Sequence, residues 1–166
     1  LIETSIMNNF NVERDEALKE ALTAGNTHRK NGRFKEAASI YSKVLELDPN
    51  NLEALDGMGE IASVSDTPHA ALPIYAKILH LDPENINALN NRGIHLMSMG
   101  DAEASEFSFR KLLKIAPEDI DGLNNLGTNL LQQKRFDEAV EPLNKAIQLA
   151  PDSPQAYYNR GVVIMQ

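Results

Sequence analysis

The sequence predicts an all-α chain built from one helical hairpin repeated along its length, and three observations carry that expectation. Gly25, Gly59, Gly93, Gly127 and Gly161 recur every 34 residues, and Pro49, Pro83, Pro117 and Pro151 keep the same period. Apolar residues between these markers fall at helical rather than strand spacing. The composition agrees: Ala, Leu, Asn and Glu are plentiful, aromatic residues make up 5% and Trp is absent, so unbranched helix formers outweigh strand formers. A fixed period of this length marks a stacked-repeat architecture.

The register divides the chain into full units at 18–51, 52–85, 86–119 and 120–153, with the first helix of a fifth at 154–166. Residues 1–17 match no register and are expected to form a leading helix or a tail, with Asn8-Asn9-Phe10-Asn11 irregular. Within each unit two helices flank a short break, Asn31-Gly32-Arg33 in the first and Met99-Gly100-Asp101 in the third. Asn51, Asn85, Asp119 and Ser153 stand where unit-starting helices need N-caps, and Pro154 follows at the first helical position. At the other end the recurrent prolines push Asp48, Asp82, Ala116 and Ala150 out of helical geometry and stop the second helix. The second unit departs most. Asp66-Thr67-Pro68 replaces its glycine turn, with Thr67 expected as N-cap and Pro68 at the first helical position. Pro73 and Pro142 lie inside second helices, where each deletes one main-chain hydrogen bond and is expected to bend its helix.

Packing explains the remaining columns. The glycines, with Ala37, Ala71, Ser105 and Ala139, keep side chains small where two helices joined by a three-residue turn cross. Tyr41, Tyr75, Phe109 and Leu143, with Val44, Ile78, Leu112 and Ala146, fill the space between units. Each large side chain so buried contributes ~1.5–3 kcal/mol. A unit alone would leave this surface in water, so stability comes from stacking. Lys43, Lys77, Lys111 and Lys145 form a further column.

In the first unit Ala24-Gly25, Gly32-Arg33-Phe34, Glu36-Ala37, Tyr41 and Leu45-Glu46-Leu47-Asp48-Pro49-Asn50 resemble the tetratricopeptide repeat family, and the resemblance covers about nine-tenths of the chain. It implies a right-handed α-α superhelix, here with four full repeats and the first helix of a fifth, whose first helices line a concave groove that receives an extended peptide. The implied function is a protein–protein interaction scaffold. Asn90-Asn91-Arg92-Gly93 and Tyr158-Asn159-Arg160-Gly161 look like repeats of bacterial proteins of this kind, including glycosyltransferases and sulfotransferases. A substrate-selecting arm of a larger enzyme is therefore the alternative reading. A self-assembling scaffold is another, because Val162, Val163, Ile164 and Met165 have no following helix or polar cap. The end at Gln166 leads to the expectation that the natural chain continues or that another chain covers this face.

Candidate groove residues follow from the first-helix face opposite the glycine contact. The first unit offers Lys19, Leu22, Thr23, Asn26, Arg29 and Lys30, a mostly basic set. The second offers Glu53, Asp56, Gly57, Glu60 and Ser63, an acidic set whose Glu53, Asp56 and Glu60 share one face for a basic ligand side chain. Beyond them come Asn90, Asn91, Asn124, Asn125, Tyr158 and Asn159. Asn91, Asn125 and Asn159 are spaced 34 apart and read either as a ladder pairing with a peptide backbone, similar to the asparagine ladder of the O-linked N-acetylglucosamine transferase family, or as solvated residues near helix starts. Ile94, Met97, Leu131, Val162 and Met165 read as core before they read as pockets. The Lys, Asn and Arg clamp with which some family members hold a terminal carboxylate is absent: the matching places carry Leu22, Asn26, Gly57, Asn87 and Asn91.

Other function classes find little support. A net charge of −8 repels phosphate backbones, so nucleic acid is not an expected partner. No apolar run approaches the roughly 20 residues of a membrane span. His28, His69, His80 and His95 fall in unrelated columns, there is no Cys, and no glycine-rich phosphate loop appears, so no catalytic, metal or cofactor site is expected and the chain is read as a non-enzyme. A protein or peptide partner remains, with self-association through the open C-terminal end as a further mode. The composition suits the cytoplasm, and a chain without Cys suits the periplasm equally.

Overall fold

The computed structural model describes residues 2–65, 68–152 and 154–164, with side chains from residue 12 onward except at 68, 155, 156, 159, 163 and 164. The expected caps Thr67 and Ser153, and the apolar Met165, lie outside the described residues. The chain divides into two compact units, Leu1–Ile74 and Tyr75–Gln166. No strand occurs among the described residues.

In the first unit α1 (Ile2–Lys30) packs on α2 (Phe34–Leu47), and both contact α3 (Leu52–Ser63). Residues 2–17 continue α1 instead of forming a separate element. The reason is local: no Gly precedes Gly25 and no Pro precedes Pro49, so nothing interrupts a run rich in helix formers. A single 3-10 turn, Pro68–Ala70, then leads into α4 (Ala71–Leu81), within which the division between units falls. Pro68 therefore opens the 3-10 turn, not an α-helix, and Pro73 comes to lie in the first turn of α4. A backbone N–H there has no intrahelical acceptor, so the proline costs no helical hydrogen bond.

The second unit holds α5 (Ile86–Ser98), α6 (Ala102–Ile115), α7 (Ile120–Gln132), α8 (Phe136–Leu149) and α9 (Pro154–Ile164), each packed on the next, with α5 also touching α7 and α7 touching α9. Pro142 sits inside α8 with its ring buried, and the helix runs through it.

The hairpin turns share one geometry. Gly32, Gly100 and Lys134 adopt φ of 72°, 81° and 59°. The amide after each reaches back five residues: Arg33 N–H to the His28 carbonyl at 2.9 Å, Asp101 to Leu96 at 3.0 Å and Arg135 to Leu130 at 2.9 Å. This is the left-handed helix stop that favours glycine, and the lysine at 134 occupies it at a steric cost. Asn51, Asn85 and Asp119 cap α3, α5 and α7, accepting from the amides of Ala54, Ala88 and Gly122 at 3.0, 2.9 and 2.7 Å. Asp101 caps α6 in the same way. Before each proline the chain leaves the helix, with φ of −137° at Asp48, −124° at Ala116 and −135° at Ala150.

Tyr41, Tyr75, Phe109, Leu143, Val44, Ile78, Leu112 and Ala146 are all buried, as are the small residues Ala37, Ala71, Ser105 and Ala139. The glycines serve these large side chains. A Cβ on Gly25 would lie 2.7 Å from the Tyr41 ring, one on Gly93 2.5 Å from Phe109, and one on Gly127 2.4 Å from Leu143. Ser105 donates its hydroxyl to the Gly93 carbonyl at 2.9 Å, closing the same crossing.

A polar tie fixes the α7–α8 turn to α6. The carboxylate of Glu106 accepts from Arg135 at 2.5 Å, Arg110 at 2.7 Å and Gln133 at 3.1 Å, and Arg135 also donates to Glu138 at 2.6 Å. Burial opposes ionisation of Glu106, but these hydrogen bonds outweigh it and hold the carboxyl below the ordinary glutamate value.

Candidate functional site

The first-helix face of the first unit is a connected polar network. Tyr41, wholly buried at its ring, donates its hydroxyl to Asn26 Oδ1 at 2.7 Å and accepts from Arg29 Nε at 3.3 Å. Asn26 Nδ2 donates to Glu53 Oε1 at 2.6 Å, and Arg29 pairs with Glu60. The basic set of α1 and the acidic set of α3 thus bind each other, because the aromatic ring between the two helices anchors both. Lys30 stays exposed.

Asp56 lies half-buried beside this network. Burial pushes its carboxyl above the ordinary aspartate value, and the charge of Arg29 offsets this only in part. Its Oδ1 is buried and makes no hydrogen bond among the described residues. Two residues assigned to this face from sequence belong elsewhere. Leu22 is buried in the core with Ala37, Tyr41, Val44 and Ala54. Gly57 is buried against Tyr41, where a Cβ would lie 2.5 Å from the ring. Periodicity placed them correctly on the helix, but the bulk of Tyr41 draws that stripe inward.

The second unit carries the asparagines. Asn125 Nδ2 donates to Asn90 Oδ1 at 2.8 Å, joining α7 to α5 across one repeat with a stagger of 35 residues. Asn91 is half-buried, and its side chain makes no hydrogen bond among the described residues. Asn124 is 7% exposed, and its buried Oδ1 has no hydrogen-bond partner among the described residues. On the same stagger its counterpart is Asn159, whose side chain is outside the described set. Tyr158, on α9, is 71% exposed. Met97 and Leu131 pack on the core of Phe109, Leu126, Leu130, Ala139 and Leu143, while Ile94 is exposed and Val162 half-buried.

Among the described residues no three His, Asp or Glu side chains gather as a metal site requires, and no helix is long and apolar enough to cross a membrane. His69 and His80 are exposed, His28 is half-buried and His95 is buried. The sequence reading missed the Tyr41 hub: tyrosine 15 residues from Asn26 gives no local signal, and only the hairpin brings them together.

Solved structures share this architecture. A MamA protein structure superposes with a TM-score of 0.81 at 24% identity over 91% of this chain and 82% of that one. pilF of Pseudomonas aeruginosa gives 0.83 at 25% identity over 92% and 70%. YrrB, described as a TPR protein with an unusual peptide-binding site, gives 0.76 at 23% identity over 89% and 76%. No curated protein matches significantly. Family models described as tetratricopeptide repeat match residues 19–51 and 86–119, and one described as TPR repeat matches 127–166. The matched stretches leave out 52–85, the unit whose glycine turn is replaced. With the hairpin packing, the stops at positive φ and three matches that together span more than half of the sequence, the chain belongs to the tetratricopeptide repeat family.

Proposed function

We propose that the chain is a protein–protein interaction scaffold that binds an extended segment of a partner along the first helices of its repeats and performs no chemistry itself. The observation that supports this most is the amide face of the second unit. Among the described residues the Asn91 side chain makes no hydrogen bond, and Asn125 uses one donor, on Asn90. Side-chain amides held on helices in this way offer both donor and acceptor to a peptide backbone, whatever its sequence. Exposed Tyr158 supplies an aromatic surface on α9. In the first unit Lys19, Lys30 and Glu53 are exposed charges of this face, while Asn26, Arg29 and Glu60 hold the face in shape. YrrB's peptide-binding site, on a like fold, is consistent with such a use.

The test is a peptide array probed with this chain and with a variant carrying Asn91→Ala, Asn125→Ala and Asn159→Ala. The reading expects most bound peptides to be lost from the variant without change in its circular dichroism. Equal binding by both proteins removes the asparagines from recognition.

A further inference from the structure

We infer that the outer face of α6 is a second docking surface, one that takes an acidic segment bearing an apolar side chain. Four residues of this face, Phe107, Arg110, Lys111 and Lys114, lie opposite the buried stripe of Ser105, Ser108, Phe109 and Leu112. Phe107 is 64% exposed. With Pro83 and Ile115 these four line a groove of about 730 Å³, whose lining holds one carboxylate, Glu84.

A lone exposed apolar side chain needs no explanation. Here the repeat itself provides the control. The position of Phe107 is held by Ser39, Pro73 and Glu141 in the other units, that of Arg110 by Ser42, Ala76 and Asn144, and that of Lys114 by Glu46, His80 and Gln148. Hairpin packing therefore demands neither an aromatic nor a cation at these places, and the third repeat alone combines them. Only Lys111 belongs to a column that is lysine throughout.

The charges select the occupant. Arg110 is engaged by Glu106 at 2.7 Å and Glu138 at 3.7 Å. Lys111 and Lys114 form no ion pair among the described residues. Two uncompensated ammonium groups beside an open aromatic ring, in a chain of net charge −8, are complementary to carboxylates flanking an apolar anchor. A second copy of this chain meets repulsion over the rest of its surface. Nucleic acid, whose charge extends beyond the groove onto the acidic remainder of the chain, meets the same repulsion, which a short segment confined to the groove avoids, and it leaves Phe107 without a partner.

The experiment is fluorescence anisotropy with a short labelled peptide of glutamates around a central pair of leucines, and with the same peptide carrying lysines for glutamates. The chain is used as it is, with Phe107→Ser, with Lys111→Glu and Lys114→Glu together, and with Asn91→Ala and Asn125→Ala together. The acidic peptide is expected to bind, to weaken with added salt, and to bind roughly tenfold or more weakly to either α6 variant. The asparagine pair is expected to leave that binding unchanged, which separates this surface from the one proposed above. Unchanged melting by circular dichroism keeps the α6 variants comparable. No binding of the acidic peptide, equal binding of the lysine peptide, or full binding by Phe107→Ser overturns the inference. So does concentration-dependent self-association that Phe107→Ser abolishes, since the groove would then belong to a second copy.

Discussion

Gly57→Ala sets two effects of opposite sign against each other. In an unconstrained helix interior, Gly to Ala stabilises by about 1 kcal/mol. In α3 the new Cβ would stand 2.5 Å from Cε2 and Cζ of Tyr41 and 2.8 Å from its hydroxyl oxygen. The ring has little room to retreat: its Cε1 edge packs so closely on Gly25 that a Cβ there would lie 2.7 Å away, and its hydroxyl is tethered to Asn26 and Arg29. Overpacking of this kind costs ~1–3 kcal/mol, and a ring already backed by Gly25 and tethered at its hydroxyl places the cost at the upper end. A net loss of about 1–2 kcal/mol follows once the helical gain is subtracted. In urea that lowers the unfolding midpoint by roughly half a molar. Gly161→Ala is the matched control, since a Cβ there meets nothing within 4 Å among the described residues, and it is expected to raise the midpoint instead. A Gly57→Ala midpoint equal to or above wild type would refute the reasoning that Tyr41 is clamped between two glycines.

Three further outcomes follow from local geometry. Lys134→Gly relieves a side chain at φ 59° and should stabilise by about 0.5–1 kcal/mol in the same urea assay. Asp56→Asn removes a carboxyl whose folded value is raised, a group that costs stability above its ordinary value of 3.8. The variant should therefore be the more stable at neutral pH, and its advantage should vanish as the pH falls below that value. Glu106→Gln has the opposite sign. The wild-type carboxyl is held below its ordinary 4.5, so its contribution is present above that value and is lost as the pH falls through the lower folded one. Denaturation series across acidic pH should show the variant less stable at neutrality and its deficit shrinking with acid.

The repeat made most of the fold readable, because one constraint recurs at three crossings: Gly25, Gly93 and Gly127 each face the large residue of the following helix. Capping was readable for a related reason, since Asn51, Asn85 and Asp119 act on amides three residues away. The end of α1 facing residue 2 was less so: a segment without repeat register still has every local reason to be helical, and register is not propensity. Pro73 shows the converse. Its effect depends on where α4 begins, and the 3-10 turn at Pro68–Ala70 moves that start by a few residues. The site was the least legible part. A spacing of 34 puts Asn91 and Asn125 in one column, yet the hydrogen bond runs from Asn125 to Asn90, a stagger that depends on how α5 lies against α7. Likewise the opposite charges of Arg29 and Glu60 look like two ligand-facing sets until α3 packs against α1 and closes them on each other.

The central claim is that a partner segment lies along the first helices. Amide hydrogen exchange, compared for the free chain and the chain saturated with a peptide selected on the array, tests it most directly. The account predicts slowed exchange in α5 and α7, and in α1 and α3 for a segment that engages the first unit. Protection confined to α2, α6 or α8, with α5 and α7 unchanged, would contradict it.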